Sequence, residues 1–159
     1  MIRLIAAIDR KRGLAKGGVL PWYIPEDEKY YDEQTRSHGG NVLMGSTTFK
    51  TIQKPMPDRQ NFILTRDKTP IDRAELIHDL NSFLKDFQGK ELWVIGGANV
   101  FAQVIEAGKA DELYLTHIDA DFGCDQFFPE YEKDFRLVEK GEPRHQNGFS
   151  FYYAKYVLL

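Results

Sequence analysis

Apolar residues come along this chain in short, nearly unbroken runs. IRLIAAI covers residues 2–8, NVLM 41–44, NFIL 61–64 and LWVI 92–95. Runs of that length without polar alternation fit strands buried on both faces, as in a parallel sheet covered by helices. The stretches between them predict helices at about 25–37, 47–53, 79–87 and 98–107. The segment ELWVIGGANVFAQVIEAGKADELYLTHI, residues 91–118, predicts strand, helix, strand, long enough for a right-handed parallel crossover. The tail differs. FRLVEK (135–140) and FSFYYAKYVLL (149–159) flank the turn-rich GEPRHQNG and predict an antiparallel hairpin added to the sheet. The expected fold class is α/β: one domain over residues 1–159, with a mixed, mostly parallel central sheet, helices on both faces and a C-terminal antiparallel hairpin.

Composition narrows the partners. At 159 residues, 42% hydrophobic and 28% charged, the chain can bury a full core and is not of disordered type. A net charge of −3 and a pI near 5.8 give no basic stripe for nucleic acid. The first apolar run is too short for a signal peptide, and its charges follow it. No stretch nears the roughly 20 apolar residues of a membrane span. One cysteine, Cys124, excludes an internal disulfide and a multi-cysteine metal site, and the four histidines do not cluster. The expectation is a cytoplasmic monomer that takes small molecules and holds no metal.

In open α/β sheets, ligands bind beyond the carboxyl ends of the strands. Two junctions have suitable chemistry. In VLMGSTTF a strand ends at Gly45, and Ser46, Thr47 and Thr48 are candidate caps of the next helix. In WVIGGANVF a strand ends in Gly96 and Gly97, and a helix begins near Ala98. Free N–H groups and the positive dipole end of a helix can hold a phosphate at each. Two such junctions can grip the two phosphates of one dinucleotide. A third strand end, ILTRDK, offers Thr65, Arg66 and Lys68 to an extra phosphate. Ordinary capping explains any one junction as well, and no GxGxxG is present.

The stretch LPWYIPEDEKYY, residues 20–31, places three carboxylates at one helix start behind Pro25. Acidic residues in a first turn favour the helix dipole, and that accounts for any two of them. Periodicity separates the third. Asp27 shares a helix face with Tyr30, Tyr31 and Gln34. If the tyrosines pack inward, Asp27 goes with them. A carboxylate in a dry pocket has a raised pKa and can bind an amidine-like ring edge or help deliver a proton.

An ordered set of motifs then resembles the dihydrofolate reductases over nearly the whole chain: LIAAI at the start, LPW-x-x-P-x-D at 20–27, MG-x-x-T at 44–48, P-x-P-x-R-x-N at 55–61, VIGG at 94–97, YLTHID at 114–119 and FFPEY at 127–131. Each piece is weak alone; the order and spacing are specific. The resemblance implies reduction of 7,8-dihydrofolate to tetrahydrofolate with NADPH as cofactor. It implies Asp27 as the carboxylate that binds the pterin and supports N5 protonation, Trp22 reaching it through water, and Thr116 hydrogen-bonded to it. Ile5, Ala7 and Ile95 are implied around the pterin, and Tyr31 and Ile52 around the benzoyl ring. Arg59 is implied as partner of the glutamate α-carboxylate, a bidentate task suited to guanidinium. The implied cofactor set is Ala7, Leu20, Gly45, Ser46, Thr48, Thr65, Arg66, Gly96, Gly97, Ala98, Asn99 and Val100, with a cis peptide at Gly96–Gly97. Residues 15–20, AKGGVL, are implied as a lid, with Asp125 touching it.

Three positions depart from the family pattern. Ser46 stands where an arginine or lysine usually holds the cofactor's 2′-phosphate, and a hydroxyl is a weaker anion partner. Glu28 stands where an apolar residue usually packs on substrate. Cys124 stands where glycine is common, and a tolerated surface substitution is expected there. Two other functions remain open: a same-fold reductase of a riboflavin-pathway pyrimidine, and a silent folate- or nucleotide-binding module. The combination of Asp27 with Arg59 argues against the first, and the intact acid, lid and paired glycines argue against the second.

Overall fold

The computed structural model describes residues 1–159. Its elements in chain order are β1 Ile2–Ile8, β2 Gly13–Ala15, α1 Pro25–Arg36, β3 Asn41–Gly45, α2 Ser46–Ile52, β4 Gln60–Leu64, β5 Ala74–Ile77, α3 Leu80–Asp86, β6 Leu92–Gly96, α4 Ala98–Glu106, β7 Glu112–Ile118, β8 Gln126–Phe127, β9 Phe135–Lys140, β10 Arg144–Gln146 and β11 Phe149–Leu158.

The large sheet runs β10, β11, β7, β1, β6, β3, β4, β5, with β9 also paired to β11. Strands β7 to β5 in that order are parallel; β11 joins β7 antiparallel. The fold is therefore α/β with a mainly parallel sheet, four helices and a C-terminal antiparallel hairpin. The buried strands explain the apolar runs. All of β6 and all of β1 except Ala7 are buried, so both faces are apolar apart from Arg3, whose guanidinium is paired with Glu91 and Glu112.

Helices cover both faces because each offers one apolar stripe. On α3, Leu80, Phe83 and Leu84 enter the larger core cluster; on α4, Val100, Phe101 and Val104 do so. On the opposite face, Tyr30 and Tyr31 of α1 and Phe49 of α2 pack against Ile5, Val42, Met44, Ile63, Trp93 and Ile95.

Four short strands escaped the pattern. β5 is a half-buried edge strand, while β2 and β8 form a small ladder of their own. β10 lies in the segment expected as a turn; only Asn147 and Gly148, both at positive φ, make the turn into β11. The expected caps Ser46, Thr47 and Thr48 do not cap. Gly45 is the N-cap of α2, Ser46 is already helical, and no side-chain cap bond forms. α3 is capped by Asp79, which accepts from the Ser82 N–H at 3.3 Å.

The topology fixes where a site can form. The chain runs outward from β1 through β3 and β4 to β5, then returns to place β6 between β1 and β3. The carboxyl ends of β1, β6 and β3 thus meet at one crevice, with the starts of α1, α2 and α4 around it.

Candidate active site

The crevice is a cleft of about 1440 Å³. A pocket for one drug-sized ligand runs to roughly 300–1,000 Å³, so this one has room for two ligands.

One end is built by the start of α1. Its N-cap, Ile24, has no side chain able to accept a hydrogen bond, so the orphan N–H groups find other partners. Pro25 has none to satisfy. The Glu26 N–H donates to Gln146 Oε1 at 2.7 Å, across 120 residues of sequence. The Asp27 and Glu28 N–H groups turn back to the Ile24 carbonyl.

The three carboxylates then separate. Glu26 pairs with Arg144 on the hairpin. Glu28 is exposed on the cleft wall. Asp27 points inward, and Thr116 Oγ1 donates to its Oδ1 at 2.7 Å. Burial pushes the Asp27 carboxyl up to about 6; the Thr116 hydrogen bond opposes the rise, and the charges of Glu28 and Glu26 add to it. Tyr31 lines the cleft beside it, while Tyr30 stacks on Tyr153 with centroids 4.0 Å apart.

The same wall carries Ile5, Ala7, Leu20, Trp22, Ile52 and Ile95. Trp22 is buried with Ile24, Ile118 and Phe151 and tilts against Phe122. It packs in the core and faces the cleft at once.

The other end is polar. Gly45, Ser46 and Thr48 at the start of α2, Gly97, Ala98, Asn99 and Val100 at the start of α4, and Thr65 and Arg66 beyond β4 all line it. The Gly96–Gly97 peptide is cis, and Gly96 has φ +125°, which a side chain rarely tolerates. A Cβ on Gly97 would lie 3.3 Å from Thr48 Oγ1.

Four expected site residues lie off the wall. Gly96 is buried beneath Thr48. Thr116 stands behind Asp27, to which its hydroxyl donates. Arg59 is enclosed: its side chain is 1% exposed and its Nη2 donates to Asp32 Oδ1 at 2.9 Å. Lys68 is also absent from the wall. His78 and Asn81 were not anticipated there, because they follow β5, which carries no clear strand pattern.

Residues 13–19 are tied to residues 121–128. The Gly17 N–H donates to Asp125 Oδ2, and the Asp125 N–H to the Ala15 carbonyl, each at 3.0 Å. Beneath them Asp9 accepts from the N–H groups of Lys11, Gly13 and Phe122. Burial opposes ionisation of Asp9, but these bonds win and hold its carboxyl below the usual range. Cys124 is half-buried; burial, with the negative Asp9 carboxylate near it, pushes its thiol up to about 11. A Cβ on Gly13 would meet Cys124 Sγ at 2.6 Å. The expected surface substitution is thus a packed contact, made possible by the missing side chain at residue 13.

No group of three or more His, Cys, Asp and Glu side chains converges to hold a metal, and no helix is long and apolar enough to cross a membrane. A cleft with room for two ligands and a half-buried carboxyl raised to about 6 on its wall is an arrangement suited to an enzyme site. The family model described as dihydrofolate reductase matches residues 1–158. The chain is 32% identical over 161 residues to the dihydrofolate reductase of Bacillus subtilis, covering 98% of this chain and 94% of that one. It is 33% identical over 133 residues to the type 3 dihydrofolate reductase of Salmonella typhimurium, covering 82% and 80%. The dihydrofolate reductase of Enterococcus faecalis, solved in complex with NADP(H) and RAB-propyl, superposes with a TM-score of 0.85 at 28% identity, covering 99% of this chain and 96% of that one. The chain belongs to the dihydrofolate reductase family and is an oxidoreductase of that family.

Burial of Asp27 has a consequence for stability. A carboxyl raised to about 6 in the folded state, against about 3.9 unfolded, disfavours the fold above pH 6, and the penalty fades as pH falls toward 4. Asp27→Asn should therefore be more stable than wild type by about 1–2 kcal/mol at pH 8 and no more stable below pH 4. Urea midpoints across that range check this; a variant less stable at pH 8 contradicts it.

Proposed function

We propose that the chain reduces 7,8-dihydrofolate to 5,6,7,8-tetrahydrofolate with NADPH, with hydride delivered to pterin C6 and a proton to N5. The observation that carries this reading is Asp27, a half-buried carboxyl raised to about 6 on the wall of a two-ligand cleft. NADPH, when bound, supplies the hydride.

The residues present suit that cofactor. The start of α4 has no side-chain cap, and Ala98, Asn99 and Val100 line the cleft there. Its N–H groups and positive dipole end are free for a phosphate. At Gly97 a side chain would fill surface that a dinucleotide backbone approaches. Beyond β4, Arg66 supplies the guanidinium that Ser46 does not, and we assign it the preference for NADPH over NADH.

Asp27 holds the pterin's 2-amino group and the adjacent ring nitrogen. The Thr116 hydrogen bond takes one lone pair of Oδ1 and leaves acceptor capacity on both oxygens. Because burial raises its pKa, a share of Asp27 is protonated near neutral pH and supports protonation of N5. Ile5, Ala7 and Ile95 exclude water around the pterin, Trp22 and Leu20 close its side, and Tyr31 and Ile52 flank the benzoyl ring. Glu28 stands beside that ring, where its charge is costly to desolvate against an apolar ligand.

NADPH oxidation followed at 340 nm with dihydrofolate tests the reading. Wild-type turnover should fall as pH rises through about 6, and Asp27→Asn should lose about 10²-fold or more at pH 7. Absence of wild-type turnover overturns the function, and an unimpaired Asp27→Asn overturns the role of the acid. Arg66→Ala should bring kcat/KM for NADPH and NADH within about tenfold of each other by raising KM for NADPH; comparable values already in the wild type contradict the assignment. Glu28→Leu should tighten inhibition by a lipophilic diaminopyrimidine about tenfold, and unchanged inhibition constants would show that Glu28 turns away from the ligand.

A further inference from the structure

Arg59 follows a turn in which Asp58 takes φ 60°, and its guanidinium folds back against α1. Nε donates to the Pro57 carbonyl at 2.9 Å. Nη1 donates to Thr35 Oγ1 at 2.8 Å and, more weakly, to the Asp32 carbonyl at 3.4 Å. Nη2 donates to Asp32 Oδ1 at 2.9 Å. A guanidinium has five N–H donors, and protein acceptors take all but one.

The charges balance as well. Asp32 Oδ2 accepts from Arg36 Nε at 3.0 Å, and Arg36 Nη1 reaches Asp58 Oδ2 at 2.7 Å. Two guanidinium groups face two carboxylates, so the cluster has no net charge to attract an anion. The Arg36 hydrogen bond, seconded by Arg59, holds the Asp32 carboxyl below its usual range, so it stays ionised at neutral pH. Its position on α1 follows Tyr31, a residue of the cleft wall.

We propose that Asp32 is a specificity-determining residue: its carboxylate occupies Arg59 in place of a substrate's tail carboxylate, so an anionic tail binds only by displacing it. This rests on the reading of Arg59 as the partner of the glutamyl tail. The two partners are unequally free to move. The Asp32 side chain is 47% exposed and that of Arg59 1%, so Asp32 is the group that yields, and it keeps Arg36 when it does. Arg59 stays held by Thr35 and Pro57. The enzyme therefore gains less from a tail carboxylate than a free guanidinium would provide, and a pterin without a tail loses correspondingly little.

The test compares KM and kcat for 7,8-dihydrofolate and for the tailless 6,7-dimethyl-7,8-dihydropterin in wild type, Asp32→Asn and Asp32→Ala. The asparagine keeps the shape and removes the charge; the alanine also clears the face of Arg59. Both variants should lower KM for dihydrofolate about three- to tenfold and leave the tailless substrate within about twofold. Thermal melting identifies folded variants, and Asp32→Asn, as the isosteric change, decides alone if the alanine variant does not fold. An unchanged or raised KM for dihydrofolate in a folded variant overturns the proposal, because Asp32 then only orients Arg59 or the tail binds elsewhere. Failure of the reductase reading itself has a different signature: neither substrate turns over in the wild type with NADPH.

Discussion

The hydrogen bond from Thr116 to Asp27 ties the start of α1 to the central sheet, and the proposed role of the acid rests on it. Thr116 belongs to β7, paired in parallel with Ala7 of β1 on the cleft floor; Asp27 belongs to the first turn of α1. Side chains alternate along a strand, so a shift of one residue in the β1–β7 register would turn the Thr116 hydroxyl to the other face. Asp27 would then be a half-buried carboxyl with no hydrogen-bonding partner among the protein's side chains, a costly arrangement. The bond fixes one oxygen of a group that burial alone would merely neutralise, and it does so while lowering the pKa only in part.

The position of that first turn is set from outside the helix. The hairpin of β10 and β11 reaches over it: Gln146 accepts the Glu26 N–H, Asn147 Nδ2 donates to the Tyr23 carbonyl, and Tyr153 stacks on Tyr30. The exposed Arg144–Glu26 pair adds roughly 1 kcal/mol at most. The more important effect is geometric, since the hairpin supplies the helix cap that Ile24 cannot. On the other flank, Asp9 gathers three backbone N–H groups and anchors residues 13–19 against residues 121–128. The site is held at its edges by distant parts of the chain.

Those long-range supports explain what the sequence showed and what it hid. Strands β1, β3, β4 and β6 were legible because burial on both faces leaves unbroken apolar runs. Edge strands β5 and β10 lack that constraint, and β2 and β8 are too short to show a period. The inward turn of Asp27 followed from its spacing to Tyr30 and Tyr31. The use of Gln146 as a cap has no local signal at all, because its partner is 120 residues away. Cys124 looked like surface because nothing in DFGCD reveals that Gly13 opens a space for its thiol. Arg59 stood out only through the family resemblance, as the partner of a glutamyl tail, and its enclosure by Asp32 and Thr35 appears only once the fold brings α1 alongside.

The most direct measurement is the ionisation of Asp27 itself, followed by the carboxyl ¹³C chemical shift in the ligand-free protein, with Asp27→Asn to assign the signal. A midpoint near 6, moving higher when Thr116 is replaced by valine, is the predicted result. A midpoint near 4 would mean that the carboxyl is solvated and ionised like any surface aspartate, and the account of the acid, the cleft and the chemistry built on it would be wrong.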